Sequence, residues 1–129
     1  MVQRFFLKKD ERLNKKIIIQ RLFKEGKIIK AFPLRIFVLS HSEHVESSVQ
    51  VLIAVPKKNF KSAVHRNLLK RRIREAYRLN KHELYDTLAV KDIQIALGIV
   101  YVGEKISDYW LIEKKIKQSL SEIMATLFE

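Results

Sequence analysis

The sequence predicts an α+β fold, a two-layer sandwich of one mixed sheet of about four strands with helices packed on it. Apolar residues recur at period 2 in some stretches and at helical spacing in others, in the order helix, two or three strands, helix, strand, helix. Elements of both kinds bury their apolar faces by packing against one another in layers, here with the helices mainly on one face of the sheet. Only three glycines and two prolines interrupt the 129 residues, and there is no Ser/Pro-rich linker, repeat or low-complexity tract. A single domain, 1–129, follows.

The first helix is expected from about Asn14, a candidate N-cap, through Ile18, Ile19, Leu22 and Phe23, with Gly26 as its stop. Lys27 to Ser40 then reads as one strand or two. Leu34, Ile36 and Val38 alternate there with Arg35, Phe37 and Leu39, and Pro33 interrupts near the start. The polar run from His41 to Ser48 reads as a loop. Val49, Val51, Ile53 and Val55 next alternate with Gln50, Leu52 and Ala54 until Pro56, and a hairpin with the preceding strand is the expected pairing. Helix formers run from about Ser62 to Leu84. Asp92 to Val102 reads as a strand with Ile93, Ile95, Leu97, Ile99 and Tyr101 on one side and the smaller Gln94, Ala96, Gly98 and Val100 on the other. The last helix starts near Ser107 or Asp108, either of which can cap it, and carries the stripe Ile112, Ile116, Leu120, Ile123, Leu127. Trp110 at its start is expected to pack at the core or its edge.

The 26 Lys and Arg against 14 Asp and Glu leave a formal charge of +12, at pI ≈ 10.0. At 47% hydrophobic the chain still has the material for one core, so the charge decorates a globular body. There is no cysteine, which excludes a disulfide framework and any thiolate nucleophile or metal ligand and sits easily with a reducing cytoplasm. The opening Met1-Val2-Gln3-Arg4-Phe5-Phe6 has no apolar secretory core. No stretch approaches the roughly 18 uncharged apolar residues of a spanning helix. A soluble, cytoplasmic protein with a polyanionic partner is the expectation.

Eight of the cations (Lys57, Lys58, Lys61, Arg66, Lys70, Arg71, Arg72, Arg74) fall between 57 and 74, with no acid among them. On a helix at about 100° per residue, Arg66, Asn67, Lys70, Arg71, Arg74, Arg78 and Lys81 fall within roughly 140° of arc, and Leu68, Leu69, Ile73, Ala76 and Leu79 fall opposite. One face is core and the other a basic ridge. Arg66, Lys70 and Arg74 repeat at about 6 Å, comparable to successive phosphates along RNA. A solvated helix face usually mixes signs, and this one does not before Glu75. A membrane-surface helix would give its apolar face to lipid, whereas here the core needs it, so no membrane partner is expected.

The string Lys57-Lys58-Asn59-Phe60-Lys61-Ser62-Ala63-Val64-His65-Arg66-Asn67-Leu68-Leu69-Lys70-Arg71-Arg72-Ile73-Arg74-Glu75-Ala76-Tyr77-Arg78 resembles the signature of the bacterial ribonuclease P protein subunit. In that family the pattern reads Ala-Val-x-Arg-Asn-Arg-x-Lys-Arg-x-x-Arg-Glu. The resemblance extends over nearly the whole chain: Arg12-Leu13 and the helix exit Phe23-Lys24-Glu25-Gly26, the strand end Val55-Pro56-Lys57-Lys58, the late strand at Asp92-Ile93, and a final amphipathic helix. Two positions depart. Leu68 stands where the family usually has its second arginine, and Ile19 where many members carry phenylalanine.

The resemblance implies an αβββαβα domain with a left-handed βαβ crossover, where the general rule would give a right-handed one. It implies a protein that binds the catalytic ribonuclease P RNA, one to one, and the 5′ leader of precursor tRNA, aiding its endonucleolytic removal while the RNA carries the chemistry. It further implies two RNA surfaces. The motif loop and helix would meet the catalytic RNA, with Arg66, Asn67, Lys70 and Arg74 on phosphates or sugars and Lys57, Lys58, Lys61, Arg71 and Arg78 extending the field. A cleft between that helix and the sheet would take the single-stranded leader, with Ile19, Phe23 and Phe37 in it, since aromatic faces beside cations suit unpaired bases. Mg²⁺ is expected in the RNA holoenzyme, with no cofactor bound by the protein alone.

No protein-borne active site is read from the remaining residues. His41 and His44 lie in a polar loop beside Glu43 and Glu46 and fit a solvated loop better than a metal site. His65 reads as a helix-start residue and His82 as a surface residue near a helix end. The acids form no pair placed for acid–base work, and there is no Gly-rich phosphate loop. The alternative within nucleic-acid binding is a ribosomal or general RNA-binding protein without a role in cleavage.

Overall fold

The structure, a computed structural model, describes residues 9–41, 47–91 and 93–127. The N-terminal residues 1–8, most of the 41–48 loop with His44, Asp92, and the side chain of Leu127 lie outside that description.

Helix α1 (Lys16–Glu25) starts one residue later than expected: Lys15, not Asn14, is its N-cap, without a side-chain capping bond. Its exit is as read. The Gly26 N–H donates to the Leu22 carbonyl at 2.9 Å, and a Cβ at Gly26 would collide with that same oxygen, so only glycine fits. Strands β1 (Lys27–Ala31) and β2 (Leu34–His41) form an antiparallel hairpin around Phe32-Pro33, with Lys27 opposite Val38 and Ala31 opposite Leu34. Strand β3 (Val49–Ala54) does not pair with β2. Strand β4 (Gln94–Tyr101) lies between them, antiparallel to β2 and parallel to β3, giving the order β1-β2-β4-β3. The sequence stretch 41–48 is too long for a tight turn, and alternation reports which face a residue takes but not which strand it pairs with. β4, buried from Ile95 to Ile99, belongs in the centre of the sheet.

The crossover from β3 to β4 is a loop, 55–62, followed by two helices. α2 (Ala63–Asn80) ends before Lys81, and α3 (His82–Lys91) follows with Leu84 and Leu88 buried at i, i+4. The single helix expected to Leu84 is therefore broken. Asn80 turns its amide back onto the Ala76 carbonyl at 2.7 Å, and Lys81 turns inward. α4 (Tyr109–Leu127) begins after Asp108, whose carboxylate accepts from the Leu111 N–H at 2.9 Å, as a cap should.

The main core lies on one face of the sheet. Ile29, Leu34, Ile36, Val51, Ile95, Leu97, Ile99 and Tyr101 pack there against Leu69, Ile73, Ala76 and Tyr77 of α2, Leu84 and Leu88 of α3, and the α4 stripe Ile112, Ile116, Leu120, Ile123. The other face carries α1, through a smaller cluster of Leu13, Ile18, Leu22, Leu39 and Ala96, joined by Ile19, Phe37 and Leu52. The small side of β4 is what admits α1: a Cβ on Gly98 would sit 3.1 Å from Leu22 Cδ2 and 3.4 Å from Phe23 Cζ. α1 itself buries only Ile18 and Leu22, worth about 1.5–3 kcal/mol each, so it is the more lightly held layer.

Candidate nucleic-acid interface

The loop from Val55 to Ser62 is held from within so that its lysines point out. Val55 and Phe60 are buried, and the Phe60 ring meets Tyr101 edge-on at 5.7 Å. Asn59 closes a turn onto the Pro56 carbonyl and sends its side-chain amide to the Gly103 carbonyl. Arg66 Nη1 donates to the carbonyls of Phe60 at 2.7 Å and Lys61 at 2.9 Å. Lys57, Lys58 and Lys61 remain exposed. Arg72 ties the same region to α4 through the Ser107 carbonyl at 2.7 Å.

From this loop α2 runs on with Asn67, Arg71 and Arg74 exposed and Lys70 half-buried. Among the described residues Lys57, Lys58, Lys61, Lys70, Arg71 and Arg74 have no side-chain hydrogen bond or ion pair, and no acid lies in sequence between 57 and 74. A surface of this sign with no internal neutralisation is completed by anions from outside. Three of the expected ridge residues are differently placed. Arg66 is half-buried and engaged with the loop carbonyls. Arg78 pairs with Glu75 one turn earlier. Lys81, 2% exposed, leaves the ridge altogether: its Nζ lies 2.6 Å from Glu11 Oε2, beside the Tyr85 hydroxyl that donates to the same oxygen. The buried face of α2 is set by Leu69, Ile73, Ala76 and Tyr77 and is turned toward Tyr77 from the stripe read in the sequence, so Lys81, one turn after Tyr77, faces inward and Leu79, expected in the core, is 37% exposed.

Ile19, Phe23 and Phe37 do come together, but on the face opposite α2. Phe23 and Phe37 meet edge-to-face at 4.8 Å between centroids. Phe23 stays 41% exposed on α1, and Phe37 and Ile19 pack in the α1 cluster. The cleft expected between α2 and the sheet is filled by the main core, since α2 lays Leu69, Ile73, Ala76 and Tyr77 on it. The sheet register continues the aromatic surface. Ile28, Phe37, Gly98 and Leu52 form one cross-strand row, and Lys30, Arg35, Val100 and Ala54 the next. Directly paired residues share a face, so an apolar row with Ile28 49% exposed is flanked by two exposed cations. Chemically, an apolar and aromatic row beside cations can stack an unpaired base next to its phosphate.

Burial raises the pKa of two tyrosines behind the ridge, holding them protonated. Tyr77 and Tyr85, with hydroxyls 3.1 Å apart, are both displaced upward first by desolvation, Tyr85 further by Tyr77 and its bond to Glu11. On α4, Tyr109 is pushed up to about 12 by desolvation and by its bond to Glu113. Trp110 beside it is 72% exposed, not packed at the core, because it lies on the outer side of α4 away from Ile112 and Ile116. His65 is exposed near the start of α2, and His82 is half-buried at the start of α3. Among the described residues no group of three or more His, Asp or Glu is placed to hold a metal ion, and no helix is long and apolar enough to cross a membrane. Sequence reasoning missed Asn59 and Arg72, whose roles are contacts to distant carbonyls, and Arg12, which lies outside the basic run.

Comparison with known proteins bears on this arrangement. The sequence model of the ribonuclease P family matches residues 7–124. A ribonuclease P protein component of Porphyromonas gingivalis is 40% identical over 119 residues, covering 92% of this chain and 87% of the relative. One of Chlorobium phaeobacteroides is 37% identical over 128 residues, covering 91% and 87%. Among solved structures, the RNase P protein from Thermotoga maritima superposes with a TM-score of 0.66 at 23% identity, covering 87% of this chain and 96% of that one. An RNase P protein of Staphylococcus aureus superposes at 0.64 with 20% identity, covering 89% and 96%. These two likenesses establish the fold.

Proposed function

The chain belongs to the ribonuclease P protein family, components of the ribonucleoprotein endonuclease of tRNA 5′ processing with an RNA subunit as partner, and from that premise we propose how its two surfaces divide the work. The Lys57–Lys61 loop and the α2 ridge bind the ribonuclease P RNA. The Phe23–Phe37 face takes the unpaired 5′ leader of precursor tRNA. The observation that carries this reading is the set of six unpartnered cations, Lys57, Lys58, Lys61, Lys70, Arg71 and Arg74, on a segment without an acid.

The chemistry is positioning. Lysine and arginine heads replace counterions on RNA, each phosphate contact adding nearly one unit to the log-log salt slope of binding, while Arg71 and Arg74 can also fork a phosphate. Asn67, exposed among them, can bond a sugar or phosphate oxygen. Arg66 acts first on the protein, holding the loop so that Lys61 and its neighbours share one surface with α2. Specificity then comes from RNA shape and from single-strandedness at the aromatic face. No side chain is assigned to bond cleavage. Mg²⁺ belongs in this reading to the RNA, and the protein lowers the Mg²⁺ needed by reducing repulsion between two RNAs. One protein acts per RNA subunit, in the cytoplasm.

The test is cleavage of a precursor tRNA with a several-nucleotide leader by a bacterial ribonuclease P RNA at low Mg²⁺. Native protein should stimulate it, and the Lys70→Ala, Arg71→Ala, Arg74→Ala triple variant should not. Tight RNA binding without stimulation would instead make the chain a general RNA binder.

A further inference from the structure

A short groove at the outer edge of β3 joins the two surfaces. Before α1, the chain makes a 3-10 turn (Lys9–Glu11) and then lies along β3: Arg12 bridges to Val51 in parallel fashion, and the Leu13 N–H donates to the Val51 carbonyl at 2.9 Å. The segment is fixed at two further points. Gln50 Nε2 donates to the Asp10 carbonyl at 2.9 Å, and the Glu11 carboxylate is buried against Lys81 and Tyr85. A buried ion pair contributes less to stability than apolar packing of the same volume, and its best-attested use is to fix a register. Here the register it fixes is that of Arg12.

The Arg12 side chain is exposed and, with Leu13, Val51, Leu52, Ile53 and Arg74, lines a groove of about 480 Å³. Two arginines line it with four apolar residues, and no acid does. Neither Arg12 nor Arg74 has a side-chain hydrogen bond or ion pair among the described residues. Arg74 belongs to the α2 ridge, whereas Leu52 belongs to the cross-strand row of Phe37 and Gly98. The groove therefore leads from one surface to the other around the sheet edge.

We infer that Arg12 is an RNA-contacting residue which, with Arg74, clamps the phosphodiester backbone of a strand crossing the β3 edge. This rests on the RNA-binding reading above. Two arginines lining one groove suit a phosphate, which accepts bidentate bonds from each, and the partly exposed Leu52 and Ile53 suit a sugar. The strand is either a segment of the ribonuclease P RNA or the precursor leader on its way to the aromatic face, and the two sources separate by experiment.

Salt-dependent affinities are measured for Arg12→Ala, Arg12→Lys, Arg74→Ala and the Arg12→Ala, Arg74→Ala pair, with Lys117→Ala as a control that removes one exposed charge from α4. One arm titrates ribonuclease P RNA alone. The other titrates the holoenzyme with precursor tRNAs carrying a long leader or none. In one arm, Arg12→Ala should weaken binding about tenfold and reduce the log-log salt slope by about 0.7–0.9. Arg12→Lys should restore the slope but not the full affinity, and the double variant should lose less than the two single losses combined. Melting temperatures should match native protein. An effect in the RNA arm assigns the phosphate to the ribonuclease P RNA, and one confined to long leaders assigns it to the leader. Native slope in both arms, or a loss shared by Lys117→Ala, overturns the inference. Failure of the native protein itself to bind ribonuclease P RNA overturns the reading beneath it.

Discussion

Arg66 closes onto Phe60, its Nη1 donating 2.7 Å to the Phe60 carbonyl and 2.9 Å to that of Lys61. A residue of the RNA-binding motif is thus also the brace of the loop that precedes it. Arg66→Ala should lower both stability, by about 1–2 kcal/mol for two charge-assisted bonds that are partly solvated, and RNA affinity. Lys70→Ala, which removes no internal bond, should lower affinity alone. Thermal melts alongside RNA titrations decide: an unchanged melting temperature for Arg66→Ala would deny it the bracing role.

The Glu11–Lys81 pair, 7% and 3% exposed in its side chains, predicts an asymmetry between single and double substitutions. Removing one partner strands a buried charge, so Glu11→Gln or Lys81→Met should cost about 3–5 kcal/mol. Glu11→Leu with Lys81→Met should recover much of that loss. Urea unfolding is the measurement. A Lys81→Met variant within about 1 kcal/mol of native would mean that water reaches the pair.

Much of this arrangement was written in local sequence pattern, and what was not depended on contacts between distant segments. The ridge was legible because an acid-free basic run and an apolar stripe occupy opposite sides of one helix, and both are sequence patterns. The separate faces of Phe37 and Ile36 were legible from alternation. Which strand lies beside β3 was not, because β4 enters from over forty residues away to part it from β2. Ile19, Phe23 and Phe37 consequently gather on the α1 side of the sheet, not in the cleft beside α2 where they were expected. α3 could have been found, since Leu84 and Leu88 stand one turn apart after the Asn80–Lys81 break. Arg12 was named only within the Arg12-Leu13 entry to the first helix, because its place beside Val51 is a contact between distant segments.

Stability should fall at alkaline pH through the tyrosines behind the ridge. Tyr77 and Tyr85 hold their protons above the ordinary value of about 10, whereas the unfolded chain gives them up there. A raised folded-state value means that the contribution is fully present below pH of about 10 and is lost progressively above it. Denaturant midpoints should therefore drop beyond that pH, and Tyr77→Phe should flatten the drop. An equally steep decline in the variant would place its cause elsewhere.

Gly98 makes the room in which α1 sits. Gly98→Ala brings a Cβ to 3.1 Å from Leu22 Cδ2, the end of a flexible side chain, and should be tolerated with a small loss. Gly98→Val has no such latitude on the Phe23 side and should cost about 1–3 kcal/mol as α1 is displaced. Native-state hydrogen exchange along 16–25 should rise in the valine variant while that of β4 and α4 stays protected. Uniform exchange across the fold would contradict a separately anchored α1.

The Phe23–Phe37 pair yields the prediction that bears most directly on substrate choice. If a leader base stacks on this face, Phe37→Ala removes an interaction worth about 1–3 kcal/mol, so holoenzyme affinity for a precursor with a leader falls roughly 5- to 150-fold. Affinity for the same tRNA without a leader should be unchanged, because the ridge on the opposite face of the sheet still holds the RNA subunit. Phe37→Leu keeps the packing with Ile19 and Leu52 but not the ring, and so separates stacking from simple support of α1. Equal losses for leader-bearing and leaderless tRNA, or full affinity in Phe37→Leu, would remove base stacking from this site and leave Phe37 a packing residue beneath α1.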